Sequence, residues 1–286
     1  MAKQISKTPG YATEVNISSN TLFHFTKRLE SLDGILQNDF APSYCTEIFS
    51  SKKRTVSMAV PMVSFCDLPL FLIKKHLNFY GCYGIGLTKT WGIKHGVTPV
   101  LYIHDISILD NVESWKNAIG LWDKATKIDS DKVKPDGKHL MLLIGQLEQT
   151  ITNIQSITKF HLLLKQYEGK AWRKNEGIIS KKRFYDEREW RYVPDTYGNN
   201  LPAYIKLPSL KDYDSSFEIE LQNAAIGTLC KLTFTPDDIQ FIIVKNDTEI
   251  LDMVEILRKY KEKFGENSVT RLTTKIISSE RIYQDL

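Results

Sequence analysis

Tyr185-Asp186-Glu187-Arg188-Glu189-Trp190-Arg191-Tyr192-Val193-Pro194 is the stretch on which the fold turns. Its second half alternates, with Trp190, Tyr192 and Pro194 on one side and Glu189, Arg191 and Val193 on the other. Period-two alternation in aromatic and β-branched residues predicts a strand that ends at Pro194. Residues two apart share a strand face, so a strand that begins early enough points Glu187 and Glu189 the same way. Two neighbouring carboxylates repel unless a ligand, or a cation such as Arg188 or Arg191, relieves them. The plain alternative is a solvated edge strand with interleaved charges. A second stretch far upstream, Leu22-Phe23-His24-Phe25-Thr26, favours a functional role for the pair.

Outward from these two stretches, strands and helices mix without strict βαβ alternation, which predicts an α+β fold. Leu22–Thr26 reads as a short strand running into a helix with Leu29, Leu32, Ile35 and Leu36 on one face, ending near Asn38-Asp39. Residues 1–19 read as a flexible polar arm, and residues 41–57, rich in Ser, Lys and Thr, as a mobile surface loop. Ala59–Cys66 reads as a strand closed by Asp67-Leu68-Pro69, and Pro69 suits the first turn of a helix carrying Leu70, Ile73, Leu77 and Tyr80. Gly81–Leu87 is a glycine-spaced strand that permits close approach of another backbone or a ligand. Val100–His104 is a further strand. Between about 108 and 172 the pattern turns helical, with Trp115, Ile119 and Trp122 on one helix and His139–Lys165 on a long one. This is a helical insertion in a single domain spanning 20–286. Gly169–Arg183 reads as a basic loop. Ala203–Leu207, Leu229–Phe234 and Ile239–Val244 read as strands. Asn246 or Asp247 caps a helix carrying Ile250, Val254, Leu257 and Tyr260, and Thr273–Ile282 adds a last strand.

Bulk properties bound the function. The 286 residues can bury a substantial core, and 42% hydrophobic with 25% charged residues is ordinary for a soluble protein. A net charge of +4 permits a nucleic-acid partner without requiring one. Cys45, Cys66, Cys82 and Cys230 form no C-x-x-C pair and have no His at ligand spacing, so no zinc site or disulfide framework is expected. Such thiols suit a reducing cytoplasm. Met1–Gly10 lacks the apolar run of a signal peptide, and no run of ~18 apolar residues could span a membrane. A two-metal nuclease or nucleotidyltransferase site needs clustered carboxylates, whereas Asp67, Asp105 and Asp110 are scattered.

A strand His, an aromatic-rich strand–helix junction and a Glu on a later strand form a set suited to one chemistry. Cleaving the nicotinamide–ribose bond of NAD passes through an oxocarbenium-like state, as glycoside hydrolysis does. A fixed carboxylate can stabilise that charge and hold a ribose hydroxyl. A His can hold the other ribose, and a Tyr ring can stack on the cationic nicotinamide.

The motifs carry a family resemblance. Leu22–Thr26 with Leu32, Gly34, Ile35 and Leu36 behind it resembles the opening of DarT-type DNA ADP-ribosyltransferases, and Val60–Pro69 resembles their second block. Taken with Tyr80–Leu87, Trp91-Gly92-Ile93, Pro99–Ile103 and Tyr185–Pro194, these blocks resemble the abortive phage-resistance AbiGi family from about residue 20 to 260. The first resemblance implies an ADP-ribosyltransferase-like split β-core with NAD as substrate and a nucleic-acid or protein acceptor. It assigns Glu189 as the catalytic carboxylate, Glu187 as the acceptor-assisting one, and His24, with Phe25, Thr26 and Ser64 beside it, to NAD. Tyr80 or Tyr83 is the stacking aromatic. Phe25 stands where many members of the wider fold carry Tyr, and Asp67 where an Arg would hold phosphate. The second resemblance implies a non-enzymatic antitoxin that neutralises or regulates a nucleotidyltransferase-like toxin.

Each residue also has an ordinary role. A lone His is most often a satisfied packing residue, Tyr80 and Tyr83 can simply pack, and Trp91 and Trp190 suit a core. Cys66 has no visible His partner for nucleophilic work. Lys52-Lys53-Arg54 and Lys181-Lys182-Arg183 suit a solvated surface or contacts to nucleic-acid phosphates.

Overall fold

The computed structural model describes residues 18–50, 55–107, 137–173, 177–207 and 217–285. Its sheet is organised by one long strand, β3 (Thr55–Cys66), which is paired on both edges at two places. Ala59 faces Thr46 of β2 (Ser43–Ser50) and Ile205 of β11 (Ile205–Lys206). Cys66 faces Phe23 of β1 (Thr21–Thr26) and Glu189 of β10 (Glu189–Tyr192). Beyond β1 come β4 (Tyr83–Thr88), β12 (Ile239–Val244) and β13 (Ile276–Ser278); beyond β10 comes β5 (Thr98–Pro99). Only β12 and β13 run parallel in this mixed α+β sheet.

Around β1 and β12, alternation sorts the side chains into two of the cores. Leu22, Phe65, Ile242 and Val244 face α1 (Leu29–Asn38), α6 (Glu249–Lys259) and α8 (Glu266–Thr273). Phe23, Cys66 and Ile243 face α2 (Lys74–Tyr80) and α9 (Ser279–Asp285). Leu22, Leu32, Leu36, Ile85 and Leu87 are fully buried. At about 1.5–3 kcal/mol for each such aliphatic side chain, they anchor β1 and β4 firmly.

β1 and β3 share a single register pair, Phe23 with Cys66. On one side of that pair the strands diverge, and the sheet splits. β1 is instead held by β4 along its whole length, from Thr21–Thr88 to Thr26–Tyr83. The glycines of β4 serve this contact. A Cβ at Gly84 would come within 2.8 Å of the Phe25 ring and 2.9 Å of the His24 carbonyl oxygen.

Several elements differ from the sequence reading. Within the stretch 41–57 read as a loop, residues 43–50 are β2 and residues 55–57 open β3, and Tyr44, Ile48 and Phe49 are buried. Within the stretch read as a basic loop, Glu168–Arg173 (β8) and Gly177–Arg183 (β9) form a hairpin. Leu229 ends helix α5 (Phe217–Leu229), and only Leu232 beyond it makes a bridge, to Phe40. Ile276–Ser278 is a strand, but the chain then turns helical at Ser279. The long helix α4 runs Gly137–Leu162 and feeds β7 (Leu164–Gln166), which pairs with β6 (Leu101–Ile103). α3 (Lys89–Lys94) and α7 (Lys261–Phe264) are short connectors. Trp115, Ile119 and Trp122, the arm up to residue 17, and Lys52-Lys53-Arg54 lie outside the described residues. Ser18 and Ser19, the end of that arm, are tied to Asp67, which accepts the Ser18 hydroxyl at 3.0 Å, the Ser19 N–H at 2.8 Å and Lys89 at 2.8 Å. Asp67 thus fastens the entry to β1.

Candidate functional site

Strand β10 begins at Glu189, where the alternation begins, and does not extend back to Glu187. Phe184–Glu187 forms a 3-10 turn, and Arg188 takes a left-handed conformation with φ 47°. The turn separates the two glutamates, so they do not share a strand face. Nor is β10 a solvated edge: it lies between β3 and β5, and Glu189 and Arg191 are buried. Arg191 is 0% exposed, so its charge has to be met inside the protein.

Two carboxylates, Glu47 and Glu189, meet that demand and are shared with a second cation, Lys165. Arg191 donates Nε to Glu189 Oε1 at 2.7 Å and one terminal nitrogen to Oε2 at 3.2 Å. That same terminal nitrogen reaches Glu47 on β2 at 2.5 Å, and the other donates to the Leu162 carbonyl at 3.0 Å. Lys165 on β7 lies 2.9 Å from Glu47 and 3.2 Å from Glu189 Oε2. Burial works against a charged Glu189, but Arg191, Lys165 and the hydrogen bonds from Arg191 and Ser64 prevail, holding its carboxyl well below the usual carboxylate range.

Ser64 links this network to β1. Its hydroxyl donates to Glu189 Oε1 at 2.9 Å, while its carbonyl accepts Nδ1–H of His24 at 2.8 Å. Across the split, His24 supplies the hydrogen bond that a neighbouring strand would otherwise give. A carbonyl only accepts, so Nδ1 carries the proton and a neutral His24 presents Nε2 as an acceptor. Burial lowers the His24 pKa, with the Ser64 bond opposing, and the ring packs edge-on to Phe40 and Phe65.

The split opens into a cavity of about 1080 Å³. That slightly exceeds the roughly 300–1,000 Å³ usual for small-molecule sites. His24, Phe25, Thr26, Ser64, Tyr80, Glu187 and Glu189 all line it. Tyr83 does not: it lines a separate depression beside Lys245, and its hydroxyl donates to Glu249 at 3.0 Å. The Thr26 hydroxyl is engaged in the turn at Arg28, donating to its carbonyl at 2.9 Å. Tyr80 donates to Glu187, which also pairs with Lys182. Lys182 therefore turns inward rather than to solvent, with its ammonium 3.1 Å from the centre of the Phe79 ring and 4.6 Å from that of Tyr80.

Sequence reasoning missed Glu47, Lys165, Lys182 and His76 as parts of this cleft. Glu47 was hidden in the presumed loop and Lys165 at the tail of the long helix. The four-residue spacing of His76 and Tyr80 on α2, which puts both on one face, was the signal available for His76. Cys66 is buried and its thiol pushed up by burial, then by Glu187 and Asp67, so it is a packing residue. Among the described residues no group of three or more His, Cys, Asp or Glu side chains could hold a metal ion. Nor is any described helix long and apolar enough to cross a membrane.

The sequence profile described as "Putative abortive phage resistance protein AbiGi, antitoxin" matches residues 38–245. The chain belongs to the AbiGi family. Its similarity extends to the abortive phage resistance protein AbiGi of Lactococcus lactis subsp. cremoris, 28% identical over 233 residues, which cover 79% of this chain and 86% of that protein. No solved structure matches the chain significantly. The AbiGi match takes in Glu47, Ser64, Tyr80, Lys165, Glu187 and Glu189, while β1 with His24 precedes it.

Proposed function

We propose that this AbiGi-family protein binds NAD in the cleft and transfers its ADP-ribose to an acceptor as part of abortive phage defence. The observation that carries the reading is Ser64, which joins His24 and Glu189 through one residue at a cavity that Tyr80 also lines. The Oε2 oxygen of Glu189 has only 3.2 Å contacts, making it the oxygen freest to accept a ribose hydroxyl. In the transfer, the C–N bond between ribose and nicotinamide breaks and its electron pair leaves with nicotinamide. Glu189 stabilises the positive ribosyl centre, an acceptor nucleophile forms the new bond, and its proton passes to Glu187 or water.

A second reading has its own observation. The Glu47–Arg191–Glu189–Lys165 group is charge-balanced, which blunts the field of Glu189 at a cationic centre. A scaffold of this kind suits an antitoxin that binds a cognate toxin and uses the cleft, if at all, only to sense a ligand.

Calorimetry with NAD, alongside nicotinamide release, separates the two. Binding lost in His24→Ala and release lost in Glu189→Gln support the transferase. Expression of the active transferase alone is expected to be toxic, and Glu189→Gln to relieve that toxicity. Absence of binding at millimolar NAD would sink the enzyme reading and leave the toxin-binding one.

A further inference from the structure

The cleft wall contains a site for a positive charge that the chain fills itself. The rings of Phe79 and Tyr80 lie 4.8 Å apart at 74°, which makes an aromatic corner. The Lys182 ammonium sits in it, 3.1 Å from the centre of Phe79 and 4.6 Å from that of Tyr80, with Phe184 at 5.8 Å. The buried Glu187 pairs with this ammonium, which also donates to the Tyr80 hydroxyl at 3.0 Å. Aromatic rings and a carboxylate around one cation are the parts of an aromatic cage, the arrangement by which proteins recognise organic cations. All of these residues line the cavity, and Tyr80 remains 37% exposed.

The occupant comes from a different element than the corner. Phe79 and Tyr80 belong to α2, whereas Lys182 lies on β9, whose hairpin with β8 is a sheet of its own among the described residues. A lysine carries its charge on a flexible four-carbon stem, so the ammonium can leave the corner while the backbone stays in place. Its departure would leave Glu187 as an uncompensated buried carboxylate, a costly state that an incoming cation repairs. The corner cannot hold both, because like charges in a wall shielded from water repel strongly. A flat cation has an advantage over a methylene chain there, since it can stack on one ring while meeting the other edge-on.

We infer that Lys182 is an internal competitor for a cation-recognition site, an autoinhibitory contact that an aromatic cation entering the cleft must displace. That the displacing ring is the nicotinamide of NAD rests on the NAD reading above; the cage and its occupant do not. The test is calorimetry of the full chain with NAD, the cationic ring 1-methylnicotinamide and neutral nicotinamide, using wild type, Lys182→Met and Lys182→Arg. Lys182→Met removes the competing charge and is expected to tighten 1-methylnicotinamide and NAD at least tenfold, leaving nicotinamide within twofold. Lys182→Arg, which keeps a cation in the corner, is expected to bind as wild type does. The inference is overturned if 1-methylnicotinamide binds Lys182→Met no more tightly than wild type, or binds Lys182→Arg as tightly as Lys182→Met. Equal tightening of neutral nicotinamide overturns it too, because only bulk would then have been relieved. Tighter 1-methylnicotinamide in Lys182→Met with no NAD binding in any chain removes the NAD reading and leaves the competitor in place. Should Lys182→Met fail to fold, acetylation of Lys182 by acetic anhydride is followed in wild type by mass spectrometry, with and without 1-methylnicotinamide. Faster acetylation with the cation present shows that the ammonium has been displaced, and an unchanged or slower rate overturns the inference.

Discussion

Arg191 shows how much one buried charge can organise. Its guanidinium is shared by Glu189 and Glu47, so removing it leaves two carboxylates to Lys165 alone. Breaking a buried ion network by deleting one partner costs about 3–5 kcal/mol. Arg191→Met is therefore expected to lower the urea midpoint by that equivalent, and adding Glu189→Gln to return part of it; a change under about 1 kcal/mol would mean that the network is hydrated. The pH dependence has a definite sign. Glu189 has a folded pKa below its unfolded value, so its contribution is present above about 4.3 and is lost as pH falls toward the folded value. His24 and His76 are buried neutral with lowered pKa values, so the unfolded chain takes up their protons first, below about 6.5. Stability should thus fall in two stages on acidification, and His24→Gln with His76→Gln should flatten the upper one in denaturation midpoints taken from pH 7.5 to 3. Lys182 occupies the Tyr80 face that a cationic ring would use. Lys182→Met is expected to tighten NAD binding in calorimetry, and weaker binding would show that Lys182 helps to hold the ligand.

At the scale of elements, the join between α2 and β4 sets the position of Tyr80. Gly81 has φ 126° and ψ 162°, a region essentially restricted to glycine, and a Cβ there would sit 2.1 Å from the Thr26 carbonyl oxygen. Gly81→Ala should cost at least about 1–3 kcal/mol from backbone strain alone. It should also weaken NAD binding by displacing Tyr80, read as a joint loss in denaturation midpoint and calorimetric affinity. A stable variant with normal affinity would show that the join is pliable. Legibility differed among elements for physical reasons. Between the threonines that end β1, and along β12, the residues are apolar apart from His24 and Gln240, with both faces buried, a pattern that few alternatives satisfy. The β2 strand mixes buried Tyr44, Ile48 and Phe49 with Ser, Thr and Glu in no regular alternation, and besides the adjoining β3 its burial comes from α5 and β7, far along the chain. The alternation from Glu189 gave the start of β10, but whether the strand reached back to Glu187 was settled by the left-handed Arg188, a feature that pattern alone does not carry.

Across the whole molecule, the cleft joins β1, β2, β3, α2, β7 and β10, so occupancy should stabilise the chain as a unit. At a ligand concentration of 100 times Kd the gain is about 2.7 kcal/mol. At roughly 2–4 °C per kcal/mol for a large domain, NAD should raise the thermal midpoint by about 5–10 °C. Differential scanning fluorimetry checks this, with His24→Ala as the control that should not shift. A wild-type midpoint that stays still at saturating NAD would count against the cleft as its site.

The sequence by itself determined the α+β class, the positions of β1, α1 and β12, and a small set of residues, His24, Ser64, Glu187 and Glu189, that line one cavity. These followed from periodicity and from motifs compact enough to read in a window of ten residues. Only the tertiary structure decided the rest. It put Tyr80 rather than Tyr83 in the cleft, turned Lys182 inward, set His76 in the cleft wall, and gave Glu189 its cations. Glu47 and Arg191 are 144 positions apart and Glu47 and Lys165 are 118 apart. The strength of a buried ion pair depends on distance and desolvation in space, and neither is encoded in local pattern.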